Sequence, residues 1–368
     1  MVDNAFGAEL ARQMRDEVAG LAHEARMHRN ATHLVKAGET EFLCEFLTDG
    51  FHPAPAPAPA REGAREREGR DSEETTGPLS RKKNSGAGAG GRCAGGRPGR
   101  ILNVPEGGRR GRTRPACADP AAGPAADKEQ ILEAELDDVA KAGDKPVFAE
   151  LARDRSLLTM AELGMTLGLH RQAVKLQYNA GAGGCFPMHF DSDQELDPRL
   201  LTAVVYLNAE WQDADGGLLK LYPTFNGEEA VTVQPIADRM ALFSSPHMLH
   251  RVLPSAANRF CFSIWFHARK RPPNPGLGAE GPPDPDDLEG TWKFLSSRNV
   301  RKHVMKALYA DEWETSIRES HADSTERGRA IDTHREEVAL IKRALGKYWP
   351  TLMAGIGQGR AEEVQWFV

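Results

Sequence analysis

Three side chains suited to holding a redox-active metal stand in the middle of the chain. His189 and Asp191 sit two apart in Met188-His189-Phe190-Asp191, and His250 follows well downstream. In an extended segment, residues two apart point to the same face, so imidazole and carboxylate are presented together. His250 must then arrive from another strand. Two imidazoles and one carboxylate on one face of a metal leave coordination positions open, which suits non-haem Fe(II) and O₂ chemistry. His247 is the rival third ligand, but it lies three positions before His250 and so on the opposite face of an extended segment.

A second feature sharpens the pattern. Arg259 stands nine residues after His250, at the head of Arg259-Phe260-Cys261-Phe262-Ser263-Ile264-Trp265-Phe266. As a strand this run alternates, with Phe260, Phe262, Ile264 and Phe266 on one side and Arg259, Cys261, Ser263 and Trp265 on the other. An arginine on the lined side of a strand is costly unless an anion pairs with it. A dicarboxylate would supply a two-pronged partner.

With these residues in place, the span 175–270 resembles the prolyl-4-hydroxylase-like family of Fe(II)/2-oxoglutarate dioxygenases, and within it the oxygen-sensing prolyl hydroxylases. The family pattern is a His-x-Asp, a distal His, and a basic residue nine or ten positions beyond; here these are His189, Asp191, His250 and Arg259. Tyr206-Leu207-Asn208-Ala209-Glu210-Trp211 and the run from Asp215 to Pro223 also resemble family segments. The resemblance implies Fe(II), 2-oxoglutarate and O₂ as reactants, ascorbate as reductant, and succinate and CO₂ as products. It implies that Arg259 and Tyr206 meet the far carboxylate of 2-oxoglutarate and that Trp265 packs beside the iron. Tyr178 matches another tyrosine near the cosubstrate, although it lies eleven positions before His189 rather than ten. Arg199 matches a position at the peptide-binding rim.

The elements that must position these groups read as short strands. Arg199 to Asn208 alternates, with Thr202, Val204 and Tyr206 on one face and Leu201, Ala203, Val205 and Leu207 on the other. Asp215-Gly216-Gly217 signals a turn. Further strands are expected at 218–222, 230–234, 239–243, 248–253 and 259–266. Many short strands with regular turns predict a mainly β fold with flanking helices, its core a double-stranded β-helix of the jelly-roll, cupin-like kind. Gly181-Ala182-Gly183-Gly184 reads as a turn into the metal strand, since no helix follows to make a phosphate cradle.

Around this core, residues 5–28 predict an amphipathic helix with Phe6, Leu10, Met14, Val18 and Leu21 on one stripe and Asp3 or Asn4 as its cap. Residues 31–47 hold short apolar pieces expected to pack on the core. The segment 129–136 is readable as strand or helix, and 147–165 as helix. Toward the C-terminus, 288–298, 299–320 and 335–348 carry apolar stripes of helical period. These helices either cover a substrate or buttress the sheet, and the periodicity favours buttressing. The domain plan is therefore 1–50 as the N-terminal helical part of the catalytic domain, 51–127 as a low-complexity insert, 128–270 as the jelly-roll core, 271–287 as a linker and 288–368 as a C-terminal helical region.

Composition bounds the function classes. The chain has 368 residues and a net charge of −6, which requires no polyanionic partner. The five cysteines, Cys44, Cys93, Cys117, Cys185 and Cys261, form no CxxC pair, as expected in a reducing compartment. No secretory signal and no membrane-length apolar run stands out, so a cytoplasmic or nuclear protein without a membrane partner is expected. The insert is poor in large apolar residues and is expected to be disordered. Its Arg81–Arg114 part holds ten Lys/Arg against one acid. Without interleaved aromatic residues for base stacking, this favours a solvated segment over a nucleic-acid site.

The leading functional reading is hydroxylation of a prolyl residue in an intracellular protein or peptide. The alternatives are the same chemistry on a small molecule or another side chain, and a catalytically silent jelly roll that only binds.

Overall fold

The computed structural model describes residues 1–29, 130–192, 198–225, 230–269 and 282–356. These residues fall in one unit, made of Met1–Pro53 and Ala121–Val368. The expectations for 31–47, for the insert 51–127 and for most of the linker lie outside the described residues.

Strand β1 (Val2–Asp3) precedes helix α1 (Ala8–His23) and strand β2 (His28–Arg29). Helix α1 is shorter than the predicted 5–28, and neither Asp3 nor Asn4 caps it. Asp3 pairs instead with Arg239 at 2.7 Å. The carboxylate of the distant Asp238 accepts the Phe6 and Gly7 amides at 2.7 and 2.8 Å, so a tertiary contact serves the donors that a local cap would serve. The stripe Ala11, Met14, Val18 and Leu21 is buried as its period predicts.

The ambiguous run resolves as β3 (Ile131–Glu135) followed by α2 (Leu136–Ala142). Pairing decided it, because β3 lies along the next long strand in register from Ile131 to Glu135. The predicted helix 147–165 is two helices, α3 (Pro146–Leu151) and α4 (Ser156–Met165). Asp154 separates them by accepting the Ser156 amide at 2.8 Å. Then follow β4 (Leu169–Asn179), β5 (Gly184–His189), β6 (Arg199–Tyr206), β7 (Leu219–Tyr222), β8 (Val231–Val233), β9 (Arg239–Ser244), β10 (Leu249–Ser255) and β11 (Arg259–Ala268). Five helices close the described chain: α5 (Leu288–Ser296), α6 (Arg298–Leu308), α7 (Ala310–Ser320), α8 (Thr325–Ala344) and α9 (Trp349–Gly355).

The strands form two antiparallel sheets, the expected jelly roll. The larger has the order β1-β9-β6-β11-β4-β3-β2 and the smaller β5-β10-β7-β8. Alternation then sorts the side chains. The outward face of the larger sheet, with Leu201, Ala203, Val205, Phe260, Phe262, Ile264 and Phe266, packs on α1 and α3. There Phe148 meets Phe262 edge-on at 6.0 Å. Between the sheets, Val204, Tyr206, Phe243 and Cys261 face Leu219, Val233 and Val252. The outward face of the smaller sheet, with Met188, Tyr222 and Leu249, is covered by Val300, Val304 and Met305 of α6, Ile341 of α8, and Leu345, Tyr348 and Leu352 beyond it. The C-terminal helices thus buttress the smaller sheet. Each large apolar side chain buried this way contributes about 1.5–3 kcal/mol of transfer free energy.

Candidate active site

His189 ends β5 and is the register partner of His250 on the neighbouring β10. Facing residues on adjacent antiparallel strands bring their side chains within reach, and the two rings lie 4.3 Å apart between centroids. Asp191 follows β5 and is turned inward by its backbone, whose N–H donates to the Ser245 carbonyl at 3.0 Å. Asp191 Oδ1 lies 3.4 Å from His189 Nε2 and 3.7 Å from His250 Nε2. One ligand atom from each of the three residues falls within 4.8 Å of the others.

The ring orientations are fixed from behind. His189 Nδ1 meets the Pro187 carbonyl at 2.7 Å, and His250 Nδ1 meets the Met248 carbonyl at 2.9 Å. A carbonyl only accepts, so both Nδ1 atoms carry a hydrogen, and it is Nε2 of each ring that is left to offer a lone pair to a metal. Two lone pairs and a carboxylate oxygen therefore converge, an arrangement that repels itself until a cation enters. The donor set fits a divalent transition metal. Burial, together with the nearby His189, pushes the His250 imidazole down to about 4, which keeps it in the ligating form. Burial alone would raise the Asp191 carboxyl. Positive charge on His250 and His189, when those rings are protonated, and the Thr202 hydroxyl overcome that and hold it below the ordinary carboxylate value.

Deeper along β11, Arg259 is 4% exposed. Its Nε–H donates to the Gly217 carbonyl at 2.9 Å and its Nη1 to Cys261 Sγ at 3.1 Å. No carboxylate among the described residues pairs with it. Beside it stands Tyr206, fully buried, with the guanidinium carbon 5.2 Å from its ring and, among the described residues, no hydrogen-bond partner for its hydroxyl. Burial drives the phenol upward, so it stays a neutral donor. A buried cation without a counter-ion and an unserved hydroxyl together fit one carboxylate supplied from outside. Gly217 makes the approach possible: its φ is +69°, and a Cβ there would stand 2.8 Å from Arg259 Cδ.

Trp265 stands beside Asp191, its indole Nε1–H donating to Asp191 Oδ2 at 3.3 Å. Arg199 also reaches the metal end. Its guanidinium lies over the Trp265 ring at 4.0 Å and donates to the Asp191 carbonyl at 3.0 Å. Tyr178 is not brought to the site. It is the register partner of Phe260, not of Arg259, and so lies on the outward face, stacked on Phe260 at 5.0 Å with its hydroxyl bonded to Asn258. The extra residue in its spacing is the cause, since a shift of one along a strand changes the face. Asn179, at the regular spacing, spends its side chain on the Gly184 carbonyl and the Gly181 amide. His247 is buried in the turn before β10 and is not part of the ligand cluster.

Several participants had no motif to announce them. Gly217 and Cys261 hold Arg259; Cys261 in turn donates to Gln177, which donates to Glu133. Thr202 and Ser245 stand behind Asp191. The signal for Thr202 was its parity with Tyr206 on one strand; Ser245 had none. Helix α7 braces both ligand strands. Ser316 Oγ accepts the Met188 amide at 3.0 Å, and Glu319 binds the buried Arg251, next to His250, at 2.6 Å.

Residues 174–267 match the family model of the 2OG-Fe(II) oxygenase superfamily. The chain is 34% identical over 98 residues to a hypoxia-inducible factor prolyl hydroxylase of Caenorhabditis elegans, covering 26% of this chain and 13% of that one. It is 34% identical over 89 residues to the prolyl hydroxylase EGLN3 of Homo sapiens, covering 23% and 36%. The matched span is thus well under half the length of these curated relatives. A crystal structure of a prolyl 4-hydroxylase from Phytophthora capsici superposes with a TM-score of 0.52 at 30% identity, covering 63% of this chain and 78% of that one.

Proposed function

Because this chain belongs to the prolyl 4-hydroxylase-like family of the 2OG-Fe(II) oxygenase superfamily, we propose that it hydroxylates a prolyl residue of a protein or peptide, using Fe(II), 2-oxoglutarate and O₂. The observation that carries the reading is the joint presence of two anion- and cation-hungry ends: three metal ligands at one, and Arg259 with Tyr206 at the other. His189, Asp191 and His250 would hold the metal. Arg259 and Tyr206 would bind the distal carboxylate of 2-oxoglutarate, and Trp265 would orient Asp191. When bound, the metal and the keto acid supply O₂ activation, with succinate and CO₂ as by-products and ascorbate as the reductant that keeps the metal ferrous. The protein supplies position and exclusion of water: Tyr206, Phe243 and Cys261 wall the inter-sheet space.

Arg199, stacked on Trp265, is assigned to the rim where a peptide would lie. We place the activity in the cytoplasm or nucleus. Among the described residues, no helix is long and apolar enough to cross a membrane.

The test is succinate release by protein supplied with iron and ascorbate, with and without proline-containing peptides, and mass spectrometry for one added oxygen on the peptide. Peptide-stimulated succinate with an oxidised proline is expected. Turnover of 2-oxoglutarate that no peptide stimulates would favour a small-molecule substrate, and no turnover at all would favour a binding module.

A further inference from the structure

Asp191 is the least anchored of the three ligands by secondary structure. His189 and His250 lie within paired strands, whereas Asp191 lies just past the end of β5. Its side chain is held from the opposite sheet. Thr202 Oγ1 donates to Asp191 Oδ2 at 2.6 Å, and Trp265 Nε1 donates to the same oxygen at 3.3 Å. Thr202 and Trp265 are register partners on β6 and β11, two interior strands of the larger sheet, so the two donors sit on a rigid surface. Oδ2 is thus engaged by two donors, while Oδ1 faces both imidazoles at 3.4 and 3.7 Å.

Ser245 completes the clamp. Thr202 Oγ1 and Ser245 Oγ are 2.8 Å apart, and both residues are buried. Thr202 has one hydroxyl proton, and an ionised carboxylate can only accept, so that proton goes to Asp191. Ser245 must then donate to Thr202, and the chain of donors runs one way, from Ser245 to Thr202 to Asp191. The Ser245 carbonyl also accepts the Asp191 amide at 3.0 Å, so one residue fixes both backbone and side chain.

We propose that Thr202, braced by Ser245, is a positioning residue that occupies Asp191 Oδ2 and thereby sets Asp191 as a one-oxygen ligand through Oδ1. Building on the metal-site reading above, this assigns a cause to the number of open positions. A carboxylate free to bind through both oxygens would take one of the positions that the proposed chemistry needs.

Titrating the metal-free full chain with Co(II), whose visible absorption reports coordination number, tests this. Thr202→Val keeps the shape and removes the donor. It is expected to bind Co(II) roughly 10- to 100-fold more weakly, the usual cost of losing an outer partner of a ligand, and with an altered absorption band. Thr202→Ser, which keeps the hydroxyl, is expected to restore both. Wild-type affinity and spectrum in Thr202→Val would overturn the proposal, as would equal losses in the Val and Ser variants, which would mean packing alone. Should Thr202→Val not fold, Ser245→Ala decides: a weaker shift in the same direction supports the clamp, and no shift overturns it. A wild-type chain that takes up no Co(II) would sink the metal reading itself, a result separable from failure of the clamp.

Discussion

Replacing Arg259 with methionine separates binding of the cosubstrate from stability of the fold. Methionine approximates the volume of the arginine stem and removes a charge that is 4% exposed and has no carboxylate partner among the described residues. Losing a hydrogen-bonded charge partner for the ligand costs about 1.5–3 kcal/mol. That converts to roughly a 10- to 150-fold rise in the 2-oxoglutarate concentration for half-maximal succinate release. The ligand-free protein tells the other half. It loses the bonds from Nε to the Gly217 carbonyl and from Nη1 to Cys261 Sγ, together worth about 1–2 kcal/mol, and is relieved of a desolvated cation. Its urea midpoint is therefore expected to change little. Wild-type protein should gain about 2.7 kcal/mol of stability at a 2-oxoglutarate concentration a hundred times its Kd, and Arg259→Met should gain only about 0.3–1.4 kcal/mol at that concentration. An unchanged 2-oxoglutarate requirement in the variant would refute the assignment. So would a ligand-free protein that unfolds outright, because Arg259 would then be a structural residue.

Three other outcomes follow from the same geometry. His250→Ala removes a buried ligand and leaves two, so divalent-metal binding measured by calorimetry should fall by orders of magnitude, while circular dichroism stays unchanged. Among the described residues, Glu319→Ala leaves the buried Arg251 with a long 3.5 Å bond to the Glu312 carbonyl and a 3.7 Å contact to the Glu312 carboxylate. A loss of about 2–3 kcal/mol in urea unfolding is expected, whereas Arg251→Met, which removes the charge itself, should cost less. On the C-terminal helices, Arg335 and then Arg318 hold the Glu314 carboxyl down to about 2 from its ordinary 4.5. The contribution is complete above pH 4.5 and is lost as pH falls toward 2, since the unfolded chain binds the proton first. Glu314→Gln should therefore flatten the acid limb of the stability curve in that window; an unchanged limb would show that the pair is broken in solution.

The chemistry was legible in the chain because it depends on residue type and on strand parity. His189 and Asp191 meet as their spacing of two predicted, although Asp191 lies just past β5 and is turned inward by its bond to Ser245, and the alternation along β11 separates Arg259, Cys261 and Trp265 from the phenylalanines. Those periodicities survive folding because alternate side chains enter different packed layers, the helix-covered face and the space between the sheets. Tyr178 marks the limit of reading by resemblance. One extra residue moved it to the outer face, and only the pairing with β11 reveals the flip.

What the chain alone could not decide is which distant groups meet. The start of α1 is held by Asp238, β3 is a strand because β4 lies beside it, and Ser245 and Thr202 close on Asp191 from a different sheet. None of these contacts has a local signature. Each is worth forming only after loop closure has brought remote strands together, so the ligand types belong to the sequence and their fixed geometry to the tertiary structure.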